Sequence, residues 1–237
     1  MYHEAYEQAE FYKDLFAHDI SNILQNIQSS LGLLSMWQNK PEKINKISEL
    51  MTIINDQLIR GSKLVSNIRK LSEISETESH LEPLDGLQIL KDAKKFILKS
   101  FPYKDLNVEI ASEIKEANVN SNELLLDLFE NILLNGVKYN VSKEINIQTK
   151  VSKEIKNGIK CVKFEFADNG IGVPDVMKER IFKGISDRKE KIHGMGLGLL
   201  LVKRVLTLYN GEIWVEDKVK GDPSQGSNFI ILIPEVV

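Results

Sequence analysis

The chain has a single cysteine, Cys161, among 237 residues, so no disulfide can form within it. A reducing compartment is the natural setting for such usage. No apolar run approaches the roughly 20 residues a membrane-spanning helix requires, and no secretory leader is visible. A cytoplasmic location is therefore expected, with no membrane contact by this stretch. Excess positive charge is also lacking: the formal net charge is −3, which argues against nonspecific binding to nucleic acid. Prolines number six and histidines four. With so few breakers, long uninterrupted helices are permitted, and each histidine merits a question. Helical patterning starts almost at Met1, which reads as a piece cut from a longer protein.

What is present divides into two textures. Residues 2–76 carry no strand pattern. At about 100° per residue, Phe16, Ile20, Ile23, Leu24, Ile27, Leu31 and Leu34 share one helical face. His18 falls nearly opposite, with Asn22, so its imidazole is expected to face solvent. "NKPEK" ends this helix, and Pro41 suits the first turn of the next. There Ile44, Ile47, Met51, Ile54, Leu58, Gly61, Val65 and Ile68 recur in alternating steps of three and four, a coiled-coil seam. Two such helices make an antiparallel hairpin. Alone it leaves apolar surface uncovered, so pairing with a second copy into a four-helix bundle is expected.

Residues 77–83 are polar and end in Pro83, and they read as a linker. Residues 84–237 then mix helices with short strands. "LDGLQILKDAKKFILKSF" is amphipathic. "NVEIAS" and the neighbourhood of Val119 suggest strands, and Asn120–Asn122 would cap a helix running to about Val137. "INIQTKV" and "IKCVKFEFA" alternate about "KNG", a hairpin signal. A last helix follows residue 196, and "GEIWVED" and "NFIILIP" supply two final strands. The expected fold is a helical hairpin followed by an α/β sandwich with a mixed, mostly antiparallel sheet.

Three segments have the residue types for nucleotide chemistry. In "NELLLDLFENILLNGVKYN", Asn131, Asn135 and Lys138 are spaced to share a helical face. A neutral amide oxygen can ligate Mg²⁺ and an ammonium can meet phosphate. In "FADNGIGVP", Asp168 ends a strand, and Gly170 and Gly172 allow a tight turn. A carboxylate there would accept a hydrogen bond from an amino group such as adenine's. "HGMGLGLLLVKRVL" sets Gly194, Gly196 and Gly198 at the start of a helix, where free N–H groups suit an anion. Between the glycine segments, "KGISDRKEKIH" is charged and reads as a lid. Taken singly, each has a plainer reading: a solvated polar face, a common turn, a glycine-rich bend.

Their order is what carries weight. "FAHDISN", "NILLNGVKYN", "DNGIGVP", "GMGLGL" and "GSNF" together resemble the histidine protein kinases of two-component signalling, whose ATP-binding half is shared with the wider GHKL ATPases. The resemblance implies that residues 1–76 are a dimerisation and phosphotransfer hairpin, 77–83 a linker and 84–237 an ATP-binding catalytic domain. It implies autophosphorylation of His18 from Mg-ATP, with Asp19 assisting the imidazole. It places Asn22 where phosphatase activity toward a phosphorylated partner is often seated. Asn135 would ligate Mg²⁺, with Asn131 and Lys138 near the phosphates and Tyr139 beside the nucleotide. Asp168 would read the adenine amino group, backed by the Gly170 and Gly172 turn. Phe182 would start the lid, Gly194, Gly196, Leu197 and Gly198 would line the phosphates, and Ser227 matches a small hydroxyl residue near the last strand. The partner it implies is the receiver domain of a separate response regulator, docking near His18. Two features depart from the common pattern: Asp19 stands for the more usual glutamate, and Ile23 replaces a frequent proline, so this helix is expected to run straighter. A GHKL serine kinase or anti-sigma-like regulator remains open, as does a nucleotide-gated dimerisation module. A topoisomerase-like clamp fits less well, since Asn131 holds the position of its water-activating glutamate.

Overall fold

The structure is a computed structural model that describes residues 2–74, 80–182 and 197–236, with the side chains of residues 2–12, 14, 15 and 41 outside that set. The chain divides into two compact units, Met1–Ser72 and Glu73–Val237.

The first unit is two helices, α1 (Tyr2–Trp37) and α2 (Ile44–Ile74), joined through a short 3-10 turn at Pro41–Lys43. No proline interrupts α1, in keeping with Ile23 at the position where a proline would have removed a backbone donor. The helices run antiparallel. Asp19 pairs with Arg60 across them, and Gly61 lies against Ile23, whose side chain is 3% exposed. At the turn, the ammonium groups of Lys43 and Lys46 lie over the Trp37 ring. Ile23, Leu50, Leu64 and Leu71 are buried in a single copy. The anticipated apolar face is only partly covered: Phe16, Ile20, Ile27, Leu34, Ile47, Ile54 and Ile68 are half-buried, while Leu24 and Leu31 on α1 are exposed, as are Ile44, Met51, Leu58 and Val65 on α2. Those four α2 residues recur every seven positions. One hairpin can bury only one side of each helix, and this stripe is the side left over.

The second unit is a five-stranded sheet with helices packed on it and a separate two-stranded ribbon. Its elements are β1 (Glu82–Asp85), α3 (Gly86–Ser100), β2 (Asp105–Ser112), β3 (Asn118–Ser121), α4 (Leu124–Lys138), β4 (Glu144–Lys156), β5 (Ile159–Asp168), α5 (Asp175–Lys178), α6 (Leu197–Leu208), β6 (Glu212–Val219) and β7 (Asp222–Pro234). The main sheet has the order β2-β4-β5-β7-β6, with β2 parallel to β4 and every other pair antiparallel. The mixed, mostly antiparallel sheet anticipated from the sequence is thus present. The β4–β5 hairpin turns at Asn157 and Gly158, both with positive φ, the backbone that an Asn-Gly pair tolerates.

Glu82 and Pro83 fall within the stretch read as a linker, yet they form β1, which pairs antiparallel with β3. Proline is accommodated because this ribbon has only two strands and leaves an edge free. Residues 77–79 of that stretch lie outside the described set. Asp85 caps α3 by accepting from the Leu87 N–H at 3.0 Å. The core lies between the sheet and α3, α4 and α6. Phe129 of α4 packs on Phe164 and Phe166 of β5, with ring centroids 4.9 and 5.8 Å apart. At its start α4 is tied to the end of α6: the buried Tyr209 hydroxyl donates to Asn122 Oδ1 at 2.5 Å, and Asn122 Oδ1 accepts from the Leu124 N–H. Burial pushes the Tyr209 phenol well above its ordinary pKa.

Candidate functional site

Two constellations emerge, one in each unit. On α1, His18 is exposed, with 54% of its side chain accessible. Its Nδ1 lies 3.3 Å from Asp19 Oδ1, and Asn22 Nδ2 lies 3.4 Å from the ring nitrogens. A spacing of four residues puts Asn22 one turn along the same face. Asp19 is half-buried, and its Oδ1 is also 3.7 Å from Arg60 of α2. The carboxylate therefore stands between the imidazole and a guanidinium from the other helix. Arg60 was not among the expected site residues, because nothing in its local sequence signals a partner forty positions away.

In the second unit, Asp168 ends β5 and is 6% exposed. Its Oδ1 accepts from the Gly170 N–H at 2.7 Å, and its Oδ2 accepts from the Ser227 hydroxyl at 2.6 Å. Asp168 is thus fixed by the turn that follows it and by the neighbouring strand. α4 approaches closely here, since a Cβ on Gly136 would lie 3.5 Å from the Asp168 Cβ and 2.8 Å from Ile147 Cδ1. The end of α4 also joins the turn directly: Ile171 N–H donates to the Tyr139 carbonyl at 3.0 Å. Tyr139, Asp168, Gly170 and Ser227 are therefore brought to one place, with Asn135 one helical turn before Tyr139.

Gly172 and Gly226 make that place possible. Both have positive φ, 69° and 112°. A Cβ on Gly172 would sit 1.7 Å from the Pro223 carbonyl oxygen, and one on Gly226 would sit 2.1 Å from the Asp168 carbonyl oxygen. The start of β7 is thereby seated on the Asp168 turn backbone to backbone. Gly226 stood in the quoted "GSNF" but was passed over for Ser227, since a glycine's close contact shows only in three dimensions.

The polar face anticipated on α4 is split. Lys138 is exposed, with Nζ 2.7 Å from the Tyr139 hydroxyl and 4.4 Å from its ring centroid. Asn131 is instead 3% exposed, and its Nδ2 donates to the Asp127 carbonyl at 2.7 Å. Its Oδ1 faces Gly198, where an added Cβ would meet it at 2.7 Å, so Asn131 is packed against the first turn of α6. Phe182 lies edge-on to Phe229 with centroids 6.2 Å apart. Close by in sequence, Lys178 bridges Asp175 and Asp217 at 2.5 Å each, and these carboxylates hold its ammonium pKa above the ordinary value. Leu197 is buried at the start of α6. Gly194, Gly196 and the charged lid stretch lie outside the described residues.

The donor set suits Mg-ATP. Asn135 Nδ2 is buried and has no hydrogen-bond partner among the described residues, a donor that suits a phosphate oxygen, while the amide oxygen is the atom that could ligate a cation. A neutral amide beside an exposed ammonium fits a cation that arrives with phosphate oxygens and keeps water ligands. Asp168 Oδ2 has a further lone pair beyond the one the Ser227 hydroxyl uses.

Residues 120–237 match the family model described as histidine kinase-, DNA gyrase B-, and HSP90-like ATPase. The adaptive-response sensory kinase SasA of Synechocystis sp. is 26% identical over 229 residues, covering 93% of this chain and 57% of that protein. The heme sensor protein HssS of Staphylococcus saprophyticus is 26% identical over 222 residues, covering 93% of this chain and 45% of that one. The chain spans about half the length of these curated relatives. Among solved structures, histidine kinase ThkA in complex with response regulator protein TrrA matches in fold with TM-score 0.61 at 16% identity, over 97% of this chain and 64% of that one. Residues 120–237 form a histidine kinase-type ATPase domain of the GHKL class. Along most of its length, hairpin included, the chain is similar to the catalytic portion of sensor histidine kinases. No helix among the described residues is long and apolar enough to cross a membrane.

Proposed function

We propose that this chain is an ATP-dependent protein-histidine kinase that phosphorylates its own His18 and passes the phosphoryl group to an aspartate on a separate receiver domain. The observation that carries this reading is the environment of His18. An exposed imidazole bonded to a neighbouring carboxylate is what a nucleophile needs and what a passive stalk does not. With Nδ1–H donating to Asp19, Nε2 is the unprotonated ring nitrogen, and its lone pair, 3.4 Å from Asn22 Nδ2, is the nucleophile. That lone pair forms the N–P bond to the γ-phosphorus as the bridging P–O bond breaks and its electrons leave on ADP. Asp19 offsets the positive charge that develops on the ring, with Arg60 holding the carboxylate in place.

In the ATP-binding unit, Asp168 accepts from the adenine amino group, Tyr139 lies beside the nucleotide, and Lys138 releases the Tyr139 ring to meet phosphate. Asn135 holds Mg²⁺, which neutralises charge on the phosphates; phosphoryl transfer depends mainly on such positioning and neutralisation. Gly198 lets the start of α6 pack closely on Asn131, and the N–H groups of that first turn would meet the phosphates. The stretch between α2 and β1 joins the two units and would allow the nucleotide to be presented to His18.

The exposed stripe Ile44, Met51, Leu58 and Val65, with Leu24 and Leu31, supports a homodimer through the hairpin. Asn22 supports a second activity of the same face, since an amide one turn from His18 can orient water toward a partner's phosphoaspartate. ThkA's crystallised partner, by its title a response regulator, is in keeping with a receiver substrate.

The test is a chase. Protein labelled from γ-labelled ATP, then freed of nucleotide, is mixed with receiver domains. Label moving to a receiver, and lost on a receiver whose acceptor aspartate is replaced, is the expected result. Label that never leaves for any receiver would contradict the transfer step.

A further inference from the structure

The residue after Asp168 is tied into the fold by a set of side-chain hydrogen bonds of its own. Asn169 Oδ1 accepts from Asn140 Nδ2 at 2.7 Å and from the Asn146 backbone N–H at 2.8 Å. Its Nδ2 donates to the Glu144 carbonyl at 2.9 Å, and its own carbonyl accepts from the Ser142 hydroxyl at 3.3 Å. These bonds reach both ends of the loop that runs from the end of α4 into β4.

Packing does not hold that loop. Val141, its one apolar side chain, is 86% exposed, and Ser142 and Lys143 are exposed as well. Within the loop, Ser142 N–H donates to Asn140 Oδ1 at 2.9 Å, so Asn140 folds the loop while its amide nitrogen anchors it to Asn169. The loop begins at Tyr139, whose carbonyl receives the Ile171 N–H, and whose N–H closes the last turn of α4 on Asn135. Movement of the loop would therefore shift Tyr139 and the last turn of α4 relative to Asp168.

We infer that Asn169 is a positioning residue for nucleotide binding: its side-chain amide locks the loop after α4 to the Asp168 turn and so sets the separation of Asn135 and Tyr139 from Asp168. This rests on the nucleotide site proposed above. An amide is suited to the role because it both accepts and donates. A carboxylate could keep the two accepted bonds but could not donate to the Glu144 carbonyl. Two contacts at opposite ends of one ligand must be placed together, so an error of about 1 Å in their separation is costly even when each group remains intact.

The experiment is calorimetric titration of the full chain with Mg-ADP, alongside thermal melting, for wild type, Asn169→Ala, Asn169→Asp, Asn140→Ala and the double variant Asn140→Ala/Asn169→Ala. Thr149→Val serves as a comparator, because it removes a buried bond to the Glu109 carbonyl in the same sheet. The expected result is a dissociation constant raised about tenfold or more in Asn169→Ala, less in Asn169→Asp, and raised also in Asn140→Ala. The double variant should fall short of the sum of the two single effects, because both single changes remove the same Asn140–Asn169 bond. Thr149→Val should lower the melting temperature and leave affinity within about twofold of wild type. Should Asn169→Ala fail to fold, Asn140→Ala decides the matter by the same criterion. Wild-type binding with unchanged affinity in Asn169→Ala or Asn140→Ala overturns this inference alone. Equal loss of affinity in Thr149→Val overturns it as well, by reducing the effect to general stability. Absence of binding in wild type overturns the nucleotide site and this inference with it.

Discussion

Replacing Gly226 by alanine tests the seating of the start of β7 on Asp168. The new methyl would lie 2.1 Å from the Asp168 carbonyl oxygen, 2.9 Å from its carbon and 3.1 Å from the Asn169 Cα. Ordinary contact begins near 3.4 Å, so the start of β7 or the end of β5 must give way by about 1.3 Å. Both neighbours are backbone, which cannot swing aside as a side chain would. The residue also has φ of 112°, a conformation that costs an L-residue about 1–3 kcal/mol. Overpacking adds about 1–3 kcal/mol, for roughly 2–6 kcal/mol in all. Gly221 separates the two contributions. Its φ is 82°, but a Cβ there meets nothing within 4 Å, so Gly221→Ala should cost only the conformational part, about 1 kcal/mol. Urea denaturation in a Trp37→Phe background lets Trp214 of β6 report on the second unit alone. The Mg-ADP affinity of Gly226→Ala should fall at least tenfold, because the displaced group is the proposed adenine acceptor (roughly 1.4 kcal/mol or more). If Gly226→Ala proves as stable as Gly221→Ala and binds Mg-ADP as wild type does, the account of this seating is wrong.

Asp19→Asn keeps the shape beside His18 and removes the charge. Autophosphorylation should slow by about 100-fold or more, while the melting temperature stays close to wild type because the pair with Arg60 is long, at 3.7 Å, and still open to solvent at the guanidinium. A rate within threefold of wild type would remove Asp19 from the chemistry. Met51→Glu/Leu58→Glu places charge in the exposed α2 stripe. Sedimentation should then show a monomer in which the second unit still binds Mg-ADP with wild-type affinity; an unchanged dimer would mean that the stripe is not the interface. Burial, with Glu154 and Glu212 nearby, raises the Cys161 thiol pKa, so less thiolate is present at any given pH than for a free thiol. Alkylation of folded protein should therefore lag a free thiol at pH 8 and quicken in urea; rapid modification of folded protein would contradict the burial.

Period and punctuation carried most of the fold. The helical period of residues 16–34 placed His18 opposite the leucines, and it is exposed. The Asn-Gly pair at 157 and 158 marked the β4–β5 hairpin. β1 was not readable, because Glu82 and Pro83 form a strand only through their pairing with residues 120 and 121, and no local pattern reports that. The exposure of Leu24 and Leu31 was also beyond a helical wheel, which groups apolar residues without saying how many one partner helix can cover. In the site, the chemistry-bearing side chains were legible by type, but their supports were not. Asn169 and Gly226 act through contacts with residues 140–146 and 168–169, and such separations leave no trace in a window of sequence. Asn131 shows the converse: its spacing put it with Asn135 and Lys138, but the approach of α6 at Gly198 buries it.

The central claim is that His18 receives phosphate from ATP. The direct measurement is incubation with γ-labelled ATP and Mg²⁺, followed by acid and alkali treatment of the protein-bound label, in wild type, His18→Gln and Asn135→Ala. Label that is lost in acid, kept in alkali and absent from both variants is the predicted result. Label that persists in His18→Gln, or that survives acid as a phosphoserine would, contradicts the account.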